Sequence, residues 1–359
     1  MKITQVISDE NIGGAGILLS LITEGLKEEF DFEILLPRAS KLIDRLPKGV
    51  RITPFPMHGA ASAADILPFL RYFKKNPCDI LHTHAAFSAR RGGALAGIPH
   101  LFSTRHCAMG ERNVPPLYHK LYERITTMTV ATAAAAEEEL LREGISKDKI
   151  RLIYNGTKEP LRLTTMQKRN ERKALGLEQT DILLGCVGRL ERVKGQDLLI
   201  RAMHMLSGKF SNLHLLLVGE GSERPRLEAL AKELCISERV HFIGYAPRPY
   251  IFQNLFTLNV NPSRGTETSC LATSECAALG IPTVASDFGG NRECVAHEVS
   301  GLLFRSEDVE GLAASIEKAL SDNALMELLK KGARNRYDAM FTLAHMLDGY
   351  RKLYTEKKS

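Results

Sequence analysis

Short apolar runs alternate with longer runs of helical period twice along this 359-residue chain, and a polar stretch divides the two series. Ile3 to Ser8, Phe32 to Leu36, Asp79 to Thr83, His100 to Thr104 and Met128 to Thr132 are strand-length and each holds at least two adjacent apolar residues, as buried strands of a parallel sheet do. Between them Ile17 to Glu29, Ala64 to Lys75, Ala86 to Ala96, Leu117 to Thr127 and Ala134 to Glu143 read as helices. The series closes on Arg151 to Tyr154, a strand running into the turn dipeptide Asn155-Gly156. Strands that alternate with helices build right-handed βαβ units, so the expected class is α/β with a doubly wound sheet.

Thr157 to Thr180 is rich in Lys, Arg and Gln and carries no strand, with a short helix expected near Asn170 to Ala174. A second series then begins. Its strands are Ile182 to Val187, Leu213 to Val218, Val240 to Ile243, Leu258 to Val260, Pro282 to Ser286 and Leu302 to Phe304. Its helices are Gln196 to Leu206, Arg224 to Leu234, Leu271 to Leu279, Val309 to Ser321, Asn323 to Ala339 and a last one, Ala344 to Tyr354. A chain of this length exceeds what one core usually supports. The expected division is residues 1–158, a linker 159–180 and residues 181–340. Two doubly wound sheets place a ligand crevice at the carboxyl ends of their strands, between the domains.

The net charge of +6 suits phosphate-bearing ligands or an anionic membrane surface. No basic run is interleaved with aromatics, which argues against a nucleic-acid partner. The seven cysteines form no C-x-x-C pair and their number is odd, which points to a reducing compartment and a cytoplasmic protein. The first apolar run is too short for a signal peptide, and no stretch reaches the ~18 apolar residues of a membrane span. Ile66 to Lys75 joins apolar bulk to Arg71, Lys74 and Lys75. It reads either as an ordinary core-facing helix or as a helix lying on the inner face of an anionic bilayer.

Several motifs carry chemistry. Val187-Gly188-Arg189-Leu190 with Lys194-Gly195 follows a buried strand, and Arg189 and Lys194 are two cations around one loop, suited to a diphosphate. A solvated basic loop is the plainer alternative. Glu267 falls in the loop before a helix and Glu275 about two turns on, where carboxylates accept hydrogen bonds from paired sugar hydroxyls. A surface glutamate and a helix glutamate would look the same. Gly13-Gly14-Ala15-Gly16 opens a helix whose amides attract phosphate, and it does not match the nicotinamide fingerprint G-x-G-x-x-G. Gly219-Glu220-Gly221 reads as a tight turn. His82-Thr83-His84 ends one strand and His106 follows another. His82 is expected in the core, His84 facing the crevice, and His106 either at a donor sugar or in a structural hydrogen bond. No Asp-x-Asp occurs, so no dedicated Mg²⁺ or Mn²⁺ site and no cofactor is expected, and Arg189 and Lys194 would supply the positive charge.

Together these segments carry a resemblance. IGGAG, DILHTH, IYNG, VGRLERVKGQDLLIRA, LLLVGEGSERPRLE, VHFIGY, NPSRGTETSCLATSECAALGIPTVASDFGGNREC and SGLLF resemble, in order and spacing, the retaining family four glycosyltransferases of the GT-B fold, the glycosyl transferases group 1. The resemblance implies two Rossmann-like domains facing a crevice, the tail 341–359 returning to the first. It implies a nucleotide-sugar donor, UDP- before GDP-sugar, and transfer with retention to a glycan or lipid-linked acceptor. It implies Arg189 and Lys194 on the diphosphate, Gly14 approaching it, Glu275 on the ribose, Glu267 at the transferred sugar and His106 lining the sugar pocket. Gly244 and Tyr245 would meet the base. Many relatives follow the first glutamate with Gly-Phe-Gly; here Thr268, Ser269, Cys270 and Leu271 take over that donor-binding stretch. The departing phosphate itself would deprotonate the acceptor hydroxyl. An epimerase of the same architecture and a non-catalytic nucleotide-sugar-binding protein are the alternatives. Arg90, Arg91, Arg105 and Arg112 are candidates for an anionic or membrane-borne acceptor.

Overall fold

The computed structural model describes residues 1–10, 13–106, 123–265 and 271–356. The chain forms two compact units, Met1–Asn155 with Leu343–Ser359, and Gly156–Thr342.

The first unit is built on seven parallel strands, β1 Lys2–Ile7, β2 Asp31–Pro37, β3 Arg51–Phe55, β4 Ile80–His84, β5 His100–Arg105, β6 Met128–Ala131 and β7 Ile150–Leu152, in the order β3-β2-β1-β4-β5-β6-β7. β1 sets Ile3 beside Phe32 on one side and Ile80 on the other. The chain therefore leaves β1 towards one edge and returns to its other side, which makes the β1/β4 boundary a switch point. Leu18, Ile22 and Leu26, spaced at three and four along helix Gly14–Leu26, pack on one face of the sheet. Met346, Tyr350, Leu353 and Tyr354 of the last helix, Leu343–Thr355, join the same cluster. Phe55, Phe69 and Phe73 fill the other face.

Strand β3 had no counterpart in the sequence reading. Pro54 removes a ladder donor, and such a residue is tolerated only at an edge, where β3 lies. The helix expected from Ala64 begins as a tight turn, Ala63–Asp65, before the α-helix Ile66–Lys75. Leu117 to Thr127 lies mostly outside the described residues. The polar stretch carries a full helix, Thr165–Ala174, longer than expected. Its start is fixed by a capping box: the Thr164 hydroxyl accepts from the Gln167 amide at 3.3 Å, and Gln167 Oε1 accepts from the Thr164 amide at 2.9 Å.

The second unit has six parallel strands, β8 Ile182–Val187, β9 Leu213–Val218, β10 Val240–Gly244, β11 Leu258–Asn261, β12 Thr283–Ser286 and β13 Gly301–Phe304, in the order β10-β9-β8-β11-β12-β13. Leu215, Leu216, Leu217 and Val218 are all buried, as a central strand covered on both faces requires. The order reverses between β8 and β11, the second switch point.

Candidate functional site

The motifs of the second unit gather at the carboxyl ends of β8 and β11, and the two loops there are locked together. Residues 188–195 follow β8 and residues 262–265 follow β11. The Arg264 amide donates to the Val193 carbonyl at 2.9 Å. Its guanidinium reaches the Asp197 carboxylate at 3.1 Å and Glu307 at 3.1 Å. Gly195 sits at φ +70°, and a Cβ there would stand 2.1 Å from the Pro262 carbonyl oxygen, so both conformation and space require glycine. Lys194 ends the turn Arg192–Lys194 and lines a small hollow with Gly188, Gln196, Asn261 and Ala272. Arg189 is exposed, and its carbonyl accepts from the buried Gln196 amide at 2.9 Å. The backbone of the basic loop is thus held while Arg189 and Arg192 remain at the surface and Lys194 is half-buried.

A buried polar network supports the loop after β11. Asn261 donates to Asn291 Oδ1 at 2.8 Å, Asn291 to Ser286 Oγ at 3.1 Å, and Ser286 to the Ser263 carbonyl at 2.5 Å. All four residues are buried, so removing one strands its partner at a cost of about 1–3 kcal/mol. Glu275 is the fifth residue of helix Leu271–Ala278, one turn rather than two from its described start. Its Oε2 accepts from Gln253 Nε2 at 2.8 Å, and Gln253 is fully buried. Burial pushes the Glu275 carboxyl above the ordinary range, and the Gln253 amide partly offsets this. Leu271 opens the helix half-buried. Glu267, Thr268, Ser269 and Cys270 lie outside the described residues.

Gly244, at φ +81°, ends β10, and a Cβ there would stand 2.8 Å from Glu220 Oε1. Its carbonyl accepts from the Gly219 amide at 2.9 Å, which joins the turn after β9 to the exposed Tyr245.

In the first unit the switch point is closed by Ser8, whose hydroxyl donates to the Ala85 carbonyl at 2.6 Å. Gly14 is the exposed first residue of its helix, and no acidic side chain stands in the first turn. His82, His84 and His106 form a stack. The rings of His82 and His84 lie 4.6 Å apart, those of His84 and His106 5.2 Å. His82 Nδ1 meets the Tyr354 hydroxyl at 2.8 Å and its Nε2 the Thr104 hydroxyl at 2.8 Å. His84 Nδ1 meets His106 Nε2 at 3.0 Å. His84, expected to face the crevice, is instead fully buried between the other two rings. Desolvation pushes His82 down to about 3, His106 to about 4 and His84 well below its usual value, so all three are neutral at pH 7.

Beside His106 a cavity of about 170 Å³ is lined by Thr83, Arg90, Ser103, Arg105 and Glu143. Arg105 pairs with Glu143 inside it, and Arg90 donates to the Thr126 hydroxyl at 3.0 Å. Both guanidiniums are therefore internal. Arg112 lies outside the described residues. Among the described residues no group of three His, Cys, Asp or Glu side chains is placed to hold a metal ion. No helix among them is long and apolar enough to cross a membrane.

Arg264, Asp197, Asn261, Asn291 and Gln253 were not singled out in the sequence. The one available signal was the polar residues inside otherwise apolar strand ends, as in Leu258-Asn259-Val260-Asn261.

Residues 167–336 match the family model of the glycosyl transferases group 1, and residues 12–158 match that of Glycosyltransferase Family 4. The second unit thus resembles the glycosyl transferases group 1 and the first unit Glycosyltransferase Family 4. An uncharacterised glycosyltransferase of Methanocaldococcus jannaschii is 28% identical over 221 residues, 60% of this chain and 56% of that protein. A D-inositol 3-phosphate glycosyltransferase of Corynebacterium urealyticum is 34% identical over 202 residues, 52% of this chain and 46% of the relative. The chain spans about half the length of the curated relatives it matches first. HepE of Anabaena, solved in complex with UDP, has the same fold, with a TM-score of 0.88 at 19% identity over 99% of this chain and 100% of HepE. The chain thus has the GT-B fold, two Rossmann-like domains.

Proposed function

We propose that this glycosyltransferase moves a sugar, with retention at the anomeric carbon, from a UDP-sugar to a hydroxyl of a glycan or lipid-linked acceptor in cell-surface glycan or glycolipid synthesis. The observation that carries the reading is the interlock of the basic loop 188–195 with the loop after β11 at a switch point of the second sheet. Arg189 and Lys194 oppose the charge that develops on the departing diphosphate, so no metal is required. Glu275 accepts from the ribose hydroxyls, and Glu267, followed by Thr268, Ser269, Cys270 and Leu271, meets the transferred sugar. Gly244 and Tyr245 meet the base, and Gly14 approaches the diphosphate. His106 lines the sugar pocket as a neutral group, and the leaving phosphate takes the acceptor's proton. UDP is favoured over GDP because HepE is solved with UDP and with UDP-glucose. We place the reaction in the cytoplasm, which the odd number of cysteines and the lack of any C-x-x-C pair suit.

Calorimetric titration of UDP and UDP-glucose into the wild type and Glu275→Gln is the test. Both ligands should bind the wild type and lose roughly tenfold or more in the variant, as loss of a charged acceptor at a hydroxyl entails. No binding of any uridine or guanosine diphosphate sugar would sink the reading. Conversion of the donor to an epimer without acceptor would turn it towards an epimerase.

A further inference from the structure

The stacked histidines of the first unit constrain one another through a single proton. His84 Nδ1 and His106 Nε2 stand 3.0 Å apart, a distance that two ring nitrogens reach only with a hydrogen between them. A neutral imidazole has one N–H, so the position of that hydrogen fixes the tautomer of both rings. His82 does not compete, because its two nitrogens already meet the Tyr354 and Thr104 hydroxyls.

The other nitrogen of His84 decides between the two arrangements. His84 is fully buried, and its Nε2 has no hydrogen-bond partner. If the bridging hydrogen belonged to His106, His84 would carry its own on Nε2, an orphaned N–H in the core. Orphaned buried N–H groups are the rarer kind of unsatisfied atom. The alternative puts the hydrogen on His84 Nδ1 and leaves only a bare ring nitrogen within the stack. His106 Nε2 is then the acceptor, and its remaining hydrogen must lie on Nδ1.

We propose that His84 is a positioning residue that holds His106 in the Nδ1–H tautomer, so that His106 acts at the donor sugar as a hydrogen-bond donor and not as a base. The consequence for the reaction rests on the proposed contact of His106 with the transferred sugar; the tautomer lock itself does not. The lock agrees with the strong burial of all three rings, which keeps them neutral.

The test uses ¹⁵N-histidine-labelled full-length protein, with the His106→Gln spectrum assigning the ring. In the wild type His106 should show a pyrrole-type Nδ1 and a pyridine-type Nε2. His84→Asn places an amide N–H where Nδ1 stood, and should keep that pattern with kcat within about threefold. His84→Phe keeps a stacked ring without the donor; it should change the His106 pattern and lower kcat roughly tenfold, the weight of one neutral hydrogen bond, at unchanged donor KM. Should the phenylalanine variant not fold, His84→Gln replaces it, because its amide reaches the Nε2 position instead. A pyrrole-type Nε2 on wild-type His106, or a His106 pattern indifferent to loss of the His84 donor, overturns the proposal. If the pattern follows His84 while His106→Gln leaves kcat intact, the lock stands and the sugar contact of His106 falls.

Discussion

Arg264 shows how one side chain holds two parts of a site that the sequence leaves far apart. Its backbone anchors to Val193, its guanidinium to Asp197, and the two anchors flank Lys194 in sequence. With about an eighth of its side chain exposed, the ion pair is screened far less than a surface pair. Arg264→Ala should therefore loosen the basic loop and weaken UDP binding about tenfold, as loss of a hydrogen bond to a charged partner does. Arg189→Ala and Lys194→Ala should act on another term. On the proposed assignment each would remove a preorganised charge from the leaving diphosphate, and turnover should fall on the order of 10²-fold. Kinetics with the accepted UDP-sugar separate the cases, the first raising KM and the others lowering kcat. A kcat/KM near wild type in either Arg189→Ala or Lys194→Ala would remove the diphosphate assignment.

At the scale of elements, the three imidazoles give the first unit a pH dependence of definite sign. Their folded values lie below the ordinary 6.5, so in the interval between, the unfolded chain binds protons that the folded chain does not. Stability is then fully present above pH 6.5 and is lost as pH falls towards 4, with a limiting slope of about 1.4 kcal/mol per pH unit for each histidine. Denaturant unfolding followed between pH 7 and 4.5 should show this, and His106→Gln should flatten it. A slope unchanged by the substitution would mean that His106 is not the buried neutral group described. The helix Ile66–Lys75 makes the opposite kind of statement. Phe69 and Phe73 are buried, and Phe69 stacks on Phe55 with ring centres 4.5 Å apart. The half-exposed Leu67 and the cations Arg71, Lys74 and Lys75 are what is left for an anionic bilayer. One exposed leucine makes a weak anchor, so any liposome binding should be mainly electrostatic, abolished by Lys74→Glu with Lys75→Glu and by salt that shortens the screening length to ~3 Å. Binding that survives high salt would require the aromatic face to leave the core.

The same elements mark what was legible beforehand. Leu213–Val218 and Gln196–Leu206 were visible to the residue because unbroken apolar runs and helical period are local signals. β3 was not, because Pro54 argues against a strand unless its edge position is known. The Arg189, Lys194 and Glu275 motif positions could be read from strand ends. The Arg264–Asp197 pair spans 67 positions, and the Asn261–Asn291–Ser286 chain joins three elements. No local pattern encodes such contacts; they exist only once the sheet order is set. His84 was misread for the same reason. Its place at a strand end is local information, whereas its burial depends on the rings stacked on both sides of it.

At the scale of the molecule, the end of the chain supports the part farthest from it in sequence. The helix Leu343–Thr355 follows the second unit directly, yet it is counted with Met1–Asn155. Met346, Tyr350, Leu353 and Tyr354 are each at most 3% exposed and pack on Ile3, Phe30, Phe32 and Phe102. The Tyr354 ring meets Phe30 edge-on at 5.6 Å and lies parallel to Phe102 at 6.3 Å. Gly25 and Gly349 lie beneath neighbouring side chains, Leu347 and Ile153, so no bulkier residue fits at either place without repacking. Each large side chain taken from such a core costs about 2–5 kcal/mol. Four together exceed the ~5–15 kcal/mol that holds an ordinary domain, or come close to it. Truncation after Thr342 should therefore unfold the first unit while leaving the second, although the cut is made at the second unit's own boundary. Hydrogen exchange read by peptide should show residues 1–155 fully exchanged and residues 182–304 protected as in the intact chain. The milder Tyr354→Phe, which deprives His82 Nδ1 of its hydroxyl, should cost about 1–3 kcal/mol and speed exchange in β4 and β5 first. Protection lost equally in both units of the truncated chain would show instead that they fold as one cooperative body, and that the last helix is not the private support of the first.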